Sequence, residues 1–388
     1  MRAGHLTYAS GLRSFVSSKE DAALAVAEAA AAFGIPTPGF LVLYASSDKD
    51  PQALADALAA HFPGVPHAGC STAGEIGPSG YAENTIVFIA FPQASFCVTS
   101  GVIGEHSNQT VAEISKSVET LKREHDARAS ALPKSSQTFA LSIIDGLSLR
   151  EETLVSAIHR GLEGIDVVGG SAGDNLAFAN TWIIHNGQLF TKAAVLVLVR
   201  THFRFKVFHH DNFEPTALKL VVTDCDAETR TVRELNGEIA AREYASCMNI
   251  DEAHLVHLSF ASHPLVVKVG GEYFCRSIRN TNEDGSLTFF CAVENGVVLT
   301  VAEPQDLVAS ATQALQALDD DLNGIDMVLG FDCVFRRLEA ENRQQRHRMS
   351  DLLKSYNVIG FSTYGEQFAA MHLNQTFTGV AISAQTFD

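Results

Sequence analysis

Residues 69–75 read Gly69-Cys70-Ser71-Thr72-Ala73-Gly74-Glu75, and residues 360–366 repeat the pattern as Gly360-Phe361-Ser362-Thr363-Tyr364-Gly365-Glu366. A weaker third version, Val168-Gly169-Gly170-Ser171-Ala172-Gly173-Asp174, lies between them. Glycines and small hydroxyl residues let a backbone turn sharply and leave N–H groups free to face a ligand. We therefore interpret the chain as related halves whose turns converge on a shared cleft.

The predicted ligand-facing positions are the small and hydroxyl residues of these turns, together with one closing carboxylate. They are Gly69, Cys70, Ser71, Thr72, Gly74, Gly170, Ser171, Gly360, Ser362, Thr363, Gly365 and Glu366. We expect Glu75 and Glu366 to cap exposed N–H groups, which a carboxylate in such a turn does more often than catalysis. Cys70 is interpreted as a packing residue, because no lysine or arginine occurs between Asp50 and Gly101 to favour its thiolate.

Helical and strand-like segments alternate through most of the chain, which predicts a mixed α/β (α+β) fold of layered sheets flanked by helices. Helices are predicted at 18–33, 51–62, 111–124, 150–162, 305–318 and 334–356, and buried strands at 40–45, 138–144, 193–199 and 327–331. Short strands and turns dominate after residue 203. At 388 residues the chain exceeds one ordinary core, so two domains are expected, with a boundary near residues 220–240.

The composition argues against several classes of partner. Lysine and arginine number 28 against 45 aspartates and glutamates, and a net charge of −17 repels nucleic acid and anionic membranes. Seven cysteines without a Cys-x-x-Cys motif suit reduced thiols in the cytoplasm better than a zinc site or a disulfide framework. The N-terminus from Met1 to His5 shows no apolar core followed by a cleavage site.

The turn motifs, with Val221-Val222-Thr223 followed by Glu234-Leu235-Asn236-Gly237, resemble the N-terminal domain of the FIST family. Ser277-Ile278-Arg279, Asp284-Gly285-Ser286-Leu287 and the turn at 360–366 are similar to its C-terminal domain. The resemblance implies an N-terminal extension at 1–29, a first FIST domain at 30–225 and a second at 226–388. It also implies a bacterial intracellular sensory module that binds a small ligand, has no catalytic residues of its own and reports to a signalling enzyme.

Two further segments, Phe208-His209-His210-Asp211-Asn212-Phe213-Glu214-Pro215-Thr216 and Met371-His372-Leu373-Asn374-Gln375-Thr376-Phe377-Thr378-Gly379, are similar to those of nitric-oxide-sensing proteins with this domain pair. That resemblance implies a haem b whose iron binds nitric oxide and a partner histidine kinase in two-component signalling. The chain is also a candidate homo-oligomer. Covalent haem attachment is excluded because Cys-x-x-Cys-His is absent.

Three histidines are candidate haem-iron ligands, of which one is expected to bind: His209, His210 and His372. His209 and His210 follow a strand on which three phenylalanines are assigned to one face, with Arg204 and Lys206 on the other as propionate partners. The alternative is a half-buried strand with a solvated cationic face and turn histidines. His372 lies close to the second turn and to Tyr364, a further cofactor-contact candidate; alternatively, His372 orients Glu366 or a strand carbonyl.

Two other patterns have competing interpretations. Gly169-Gly170-Ser171-Ala172-Gly173 matches the nucleophile elbow of serine hydrolases, but the following residues do not indicate the helix that an elbow requires. The arginines between 336 and 348 are interpreted as a salt-bridged exposed helix face, or as a docking surface for an acidic kinase region.

The sequence thus predicts a cytoplasmic haem-dependent nitric oxide sensor; the alternatives are a haem-free receptor for an amino-acid-like molecule and a hydrolase using Ser171.

Overall fold

The computed structural model describes residues 4–106, 108–255 and 257–387, so Met1, Arg2 and Ala3 of the expected N-terminal extension lie outside the described residues. Helices and layered sheets confirm the predicted mixed α+β fold class. The elements fall into three units of similar order and one inserted domain, which are described in chain order below.

The first unit ends at residue 91. Its elements are β1 (His5–Thr7), β2 (Arg13–Ser17), α1 (Ala22–Phe33), β3 (Phe40–Ser46), α2 (Pro51–His61), β4 (His67–Thr72), β5 (Glu75–Gly77), β6 (Gly80–Ala82) and β7 (Ile86–Phe91). Helix α1 begins later than predicted because the Asp21 side chain accepts a hydrogen bond from Leu24 N at 3.0 Å and so caps the helix there. Helix α2 begins at Pro51 after the capping residue Asp50, as predicted.

The second unit covers residues 96–201. Its elements are β8 (Phe96–Ile103), α3 (Val111–Arg128), β9 (Gln137–Ile144), α4 (Glu151–Leu162), β10 (Asp166–Ser171), β11 (Ile183–His185), β12 (Gln188–Phe190) and β13 (Ala194–Thr201). Helix α3 begins with a capping box, in which Thr110 and Glu113 bind each other's backbone N–H groups.

Strand β14 (Phe203–His210) opens a third unit, which an inserted domain at residues 213–304 interrupts. The inserted elements are β15 (Phe213–Asp226), β16 (Thr231–Leu235), β17 (Glu238–Ile239), α5 (Ala240–Met248), α6 (His257–Ser262), β18 (Leu265–Val269), β19 (Glu272–Cys275), β20 (Ile278–Thr281), β21 (Leu287–Phe289) and β22 (Val298–Pro304). They build one sheet of order β19-β18-β22-β15-β16-β21-β20, with β17 beside β16.

The third unit then resumes and completes the chain. Its remaining elements are α7 (Leu307–Leu322), β23 (Met327–Cys333), α8 (Val334–Asn342), α9 (Arg346–Ser355), β24 (Val358–Thr363), β25 (Glu366–Phe368), β26 (Met371–Leu373) and β27 (Phe377–Thr386).

The three units exchange hairpins in a closed cycle. Each unit contains a parallel strand pair: β3 with β4, β9 with β10, and β23 with β24. The hairpin that follows each pair joins the sheet of another unit: β5 pairs with β24, β11 with β4, and β25 with β10. The weak motif at 168–174 therefore belongs to a full third copy of the unit, where the sequence analysis predicts two halves.

A shared core joins the three sheets. Tyr44 of the first unit packs its ring 4.5 Å from Phe361 of the third, and Leu141 of the second unit lies in the same buried cluster. The helices of each unit cover the outer face of its sheet in three separate clusters. This inner packing fixes the ends of β4, β10 and β24 next to one another.

Two sequence interpretations of the third unit are wrong. The predicted helix 334–356 is two helices, which end and begin around Gln344 with its φ of +55°. Arg336 and Arg337 do not lie on an exposed face: both are buried, and Arg336 donates to Asp332 Oδ1 at 2.7 Å. Since Asp332 lies one residue before the end of the buried strand β23, the start of α8 faces the interior.

Strand β14 also differs from its predicted geometry. Phe203 and Phe205 pack on the shared core, whereas Phe208 packs against Phe377 in the cluster under α7. Side chains alternate along a strand, so Phe208 shares its face with Arg204 and Lys206. The proposed wall of three phenylalanines is therefore divided between two faces.

Candidate ligand site between the turn ring and the inserted domain

The ends of β4, β10 and β24 meet in a ring of three turns, residues 71–74, 171–174 and 362–365, which we name the turn ring. Each turn donates one backbone hydrogen bond to a serine carbonyl of another turn: Ala73 N to Ser362 O at 3.0 Å, Gly173 N to Ser71 O at 3.1 Å, and Tyr364 N to Ser171 O at 3.2 Å. The small residues are required because Gly173 packs against Ala73, where an added Cβ would lie 2.8 Å from Ala73 Cβ. The predicted turns thus converge, but their centre is closed by their own backbone.

The three serines occupy equivalent places in the ring. The Ser71 hydroxyl accepts from Trp182 N at 3.1 Å, and the Ser171 hydroxyl accepts from the Gln367 side chain at 2.9 Å. All three are fully buried, and residues 172–182 after Ser171 form a loop in place of a helix. Ser171 therefore has the surroundings of a packed structural serine, unlike the exposed nucleophile of an elbow.

Glu75 and Glu366 each tie their turn to the next strand in the same way. Thr72 and Thr363 donate their hydroxyls to Oε1 of the respective glutamate. Thr85 and Thr376 donate both N–H, at 3.1 Å, and hydroxyl, at 2.7 Å, to Oε2. The expected capping role of these carboxyls is what the structure shows. Burial raises the pKa of Glu75 to about 7 and that of Glu366 to about 8.

Replacing Glu366 by glutamine is expected to flatten the pH dependence of stability. Folded Glu366 keeps its proton up to about pH 8, whereas the unfolded side chain loses it above about 4.5, so its contribution to folding falls as pH rises between these values. Glu366→Gln should therefore gain at least about 2 kcal/mol relative to wild type between pH 5 and pH 8. Urea unfolding at several pH values measures this. In Glu75→Gln the gain in stability relative to wild type should stop increasing about one pH unit lower, near pH 7. If the plots of unfolding free energy against pH are parallel for variant and wild type, the raised pKa is wrong.

The second unit carries an extra loop, residues 172–182, where the other two units turn within two residues. Three of its non-glycine residues have positive φ: Asn175 at +53°, Leu176 at +66° and Phe178 at +50°. Asp174 holds the loop by accepting from the backbone N–H groups of residues 178, 179 and 180 at 2.9, 2.6 and 2.8 Å. Left-handed leucine and phenylalanine are uncommon and costly, and such strain clusters at ligand sites.

The inserted domain lies over the turn ring and contacts the extra loop. Phe178 packs 4.9 Å from the ring of Tyr364 and 5.6 Å from that of Phe290. The Arg279 guanidinium lies 4.6 Å above Phe178, and its buried Nε has no hydrogen-bond acceptor within residues 4–106, 108–255 and 257–387. Thr281, two residues along the same strand, has a buried hydroxyl that also lacks a hydrogen-bond partner in the part of the chain that the structure describes.

Two buried basic side chains rest on the last glycines of the repeated motif. Arg337 lies on Gly74 and donates to Asn175 Oδ1 at 3.2 Å, while its Nη1 and Nε lie 3.8 Å from the Glu83 and Glu341 carboxylates, respectively. His372 lies on Gly365, where an added Cβ would come within 2.7 Å of its Nε2. Glycine is needed at both places because any side chain would displace these bases.

An ion cluster ties the start of α4 to the inserted domain. Arg230 contacts Glu151 at 2.6 Å and Glu152 at 2.5 Å, and Glu152 accepts from Ala292 N at 2.6 Å. His372 lies beside this cluster, and neither of its ring nitrogens forms a hydrogen bond with a described residue. Burial lowers the pKa of His372 to about 4, so its imidazole is neutral.

The other predicted cofactor residues have different surroundings. Arg204 donates to Asp321 O at 3.2 Å, and Lys206 pairs with the Asp321 carboxylate at 2.6 Å. His210 Nε2 is bound to the Ser310 hydroxyl at 3.0 Å. His209 is exposed, and its ring stacks 4.4 Å from that of Phe368. Tyr364 joins the turn ring to the extra loop, since its hydroxyl donates to Asp174 and accepts from the backbone N–H of residue 176.

The surroundings of the predicted cofactor residues offer a suitable nitrogen donor for haem iron but, among the described residues, no cavity large enough for the haem. His372 is neutral, as an iron ligand must be, yet it is buried and packed against Gly365. The cleft beside His209 has about 230 Å³, below the 300–1,000 Å³ usual for ligand pockets. No group of three or more His, Cys, Asp or Glu side chains suited to a metal ion occurs within 4–106, 108–255 and 257–387.

Of the residues at this interface, the sequence analysis proposed Tyr364 and His372 as site residues and gave no role to Arg230, Arg279 or Phe178. Arg279 belongs to the Ser277-Ile278-Arg279 segment that resembles the FIST family. The signal available in the sequence was its position on a predicted strand between an apolar and a polar residue. Phe178 gives no signal in the sequence, because its role depends on a left-handed backbone and on contacts with Tyr364 and Arg279.

Comparison with known proteins covers nearly the whole chain. The FIST N domain matches residues 39–238 and the FIST C domain matches residues 240–369. The uncharacterized protein MJ1623 of Methanocaldococcus jannaschii is 23% identical over 380 residues, covering 88% of this chain and 72% of that protein. The two matches meet inside the inserted domain, and the proposed boundary between residues 225 and 226 stays a prediction. No described helix is long and apolar enough to cross a membrane.

Proposed function

The chain belongs to the FIST family, whose domains are associated with sensing in signal transduction, and on this premise we propose that it is a small-molecule receptor. The ligand site is the interface of the turn ring, the extra loop 172–182 and the inserted domain. We assign to it the residues Asp174, Phe178, Arg230, Arg279, Tyr364 and His372.

One observation carries the proposal: buried polar groups without partners gather at this interface. Arg279 Nε, Thr281 Oγ1 and both ring nitrogens of His372 lack hydrogen-bond partners among the described residues. A buried donor without an acceptor costs about 1–3 kcal/mol, so such a cluster favours an added acceptor-rich molecule. Carboxylate suits Arg279, because a guanidinium binds it through two parallel N–H groups. An amino-acid-like carboxylate is therefore the first ligand class to test.

Ligand binding would act through the position of the inserted domain. The chain enters and leaves that domain side by side, where Gln305 N donates to Asn212 O at 2.7 Å. Buried Arg336 holds this crossing by donating to Asn212 Oδ1 at 2.8 Å. The ligand would contact Arg279 on the inserted domain and Tyr364 on the turn ring. It shifts the equilibrium between two domain arrangements only if it binds one arrangement more tightly than the other.

A screen of small carboxylates, including the amino acids, by thermal denaturation tests the site. A ligand at 100 times its Kd is expected to stabilise the wild type by about 2.7 kcal/mol, and Arg279→Gln should abolish the shift. Arg233→Gln is the matched control, since Arg233 is exposed on the same domain and pairs with Asp224 at 3.3 Å. Equal shifts in wild type and Arg279→Gln would reject the site.

The second candidate is the cytoplasmic haem-dependent nitric oxide sensor that regulates a partner histidine kinase. It is favoured by one observation: the imidazole of His372 is neutral and forms no hydrogen bond among the described residues. Haem would supply an iron centre for nitric oxide, and His372 would be its protein ligand only if the packing of His372 against Gly365 opened to admit the haem. Absorption in the Soret region of protein incubated with haem, lost in His372→Ala and kept in His209→Ala and His210→Ala, would support this candidate; three unchanged spectra would remove all three histidines as ligands.

A further inference from the structure

We propose that the Phe178 ring occupies the place of an aromatic carboxylate, which binds by displacing the extra loop 172–182 and stacking between Arg279, Tyr364 and Phe290. The inference rests on the proposed function and specifies its ligand: a flat ring that carries a carboxylate.

The first argument is the cost of the present loop conformation. Leu176 and Phe178 adopt left-handed φ, at about 1–3 kcal/mol each. Local bonds offset this cost: the Asp174 carboxylate accepts three backbone N–H groups, and the Tyr364 hydroxyl accepts from the backbone N–H of Leu176 at 2.7 Å. A loop held against its own backbone preference releases that strain when another group takes over the contacts of Phe178.

The second argument is the pocket that surrounds the ring. Phe178 is half-buried, while its neighbours Ala177 and Ala179 are exposed, so the loop separates the ring from solvent. Tyr364 and Phe290 contact the ring at centroid distances of 4.9 and 5.6 Å, and the Arg279 guanidinium lies 4.6 Å from its centroid. These surroundings suit a flat aromatic ring better than an aliphatic one, because a guanidinium attracts the π face.

The third argument explains why the ring should carry a carboxylate. Phe178 gives Arg279 a ring face but no acceptor, and the buried Arg279 Nε forms no hydrogen bond with any residue that the structure describes. The neighbouring carboxylates are already engaged, since Asp174 accepts from the loop and from Tyr364, and Glu151 and Glu152 pair with Arg230. A carboxylate on the incoming ring would satisfy Arg279 and retain the cation–π contact.

Trp182 provides an intrinsic reporter. It is the one tryptophan of the chain, it ends the extra loop, and it is 7% exposed. Its backbone N–H binds the Ser71 hydroxyl of the turn ring. Movement of the loop should therefore change its fluorescence.

The experiment is a fluorescence titration of the full chain with benzoate, cyclohexanecarboxylate and acetate. Benzoate should give a saturable change and bind at least tenfold more tightly than cyclohexanecarboxylate. Phe178→Ala should bind benzoate about tenfold more tightly than wild type, because the native ring no longer competes. Phe178→Leu serves if the alanine variant fails to fold, and Arg279→Gln should lose binding.

Phe203→Ala is the matched control, since Phe203 is also half-buried but packs on the shared core, and its benzoate affinity should equal that of wild type. Benzoate binding that is unaffected at residue 178, or no stronger than that of cyclohexanecarboxylate, overturns the inference. If acetate or an amino acid still stabilises the protein through Arg279, the proposed receptor function stands and the ring displacement alone fails. If no carboxylate acts through Arg279, both fail.

Discussion

Gly360→Ala is expected to unfold the protein or to lower its free energy of unfolding by more than about 3 kcal/mol. An alanine Cβ at this position would lie 2.7 Å from the Gly330 carbonyl carbon and closer still to its oxygen. Both residues are in β23 and β24, the central parallel pair of the third unit, where they are direct partners. Backbone atoms of two paired strands cannot move apart without breaking the ladder, so the clash cannot relax locally.

The matched control is Gly101→Ala in strand β8. There an added Cβ would meet Leu121 Cδ1 at 3.3 Å, and the end of a leucine side chain can shift by a few tenths of an ångström. Neither glycine has a positive φ, so the two changes differ in available space and not in backbone strain. Urea unfolding of the two variants measures the difference, and similar midpoints for both would show that the sheet of the third unit yields more than the structure implies.

Asp332→Ala is expected to cost about 3–5 kcal/mol of unfolding free energy. Asp332 and Arg336 are fully buried and contact each other at 2.7 Å, and the Tyr81 hydroxyl from the exchanged hairpin donates to Asp332 at 2.5 Å. Removal of the carboxylate leaves the Arg336 charge buried and uncompensated. Because Arg336 also binds Asn212 at the entry to the inserted domain, the variant should loosen that domain as well.

Asp321→Ala provides the comparison for this prediction. Asp321 pairs with Lys206 at the similar distance of 2.6 Å, but both side chains are about half exposed. An exposed pair contributes about 0–1 kcal/mol, so this variant should unfold close to wild type. Limited proteolysis of the crossing at residues 211–213 gives a second readout for Asp332→Ala, and resistance equal to that of Asp321→Ala would contradict the link to the inserted domain.

Local patterns located most of the elements. Some signals act over only a few residues: the apolar run of β3, the Asp50-Pro51 start of α2 and the capping box of α3. The sequence therefore predicts these elements to within a few residues at each end. The repeated turns were recognisable because glycine is required where another backbone or a buried base comes close. Glu75 and Glu366 could be assigned to capping for the same local reason.

The candidate site depended on contacts between residues far apart in the chain. Phe178 and Arg279 are 101 positions apart in the chain, and Arg279 and Tyr364 are 85 positions apart. Phe178 contacts both from a left-handed backbone conformation. Arg336 and Arg337 follow a helix pattern that predicts exposure, but burial against Asp332 and Gly74 overrides it. Contacts of this kind between distant residues do not produce a residue spacing that can be recognised in the sequence.

By itself, then, the sequence determined the α/β class, the turns and the FIST resemblance, because these follow from short-range backbone preferences and from a repeated motif. The tertiary structure alone decided that three units exchange their hairpins, that the turns close on one another, and that the inserted domain lies over them. Strand exchange and the burial of charged side chains are set by long-range packing, in which each segment gains its stability from partners that the local chain does not specify.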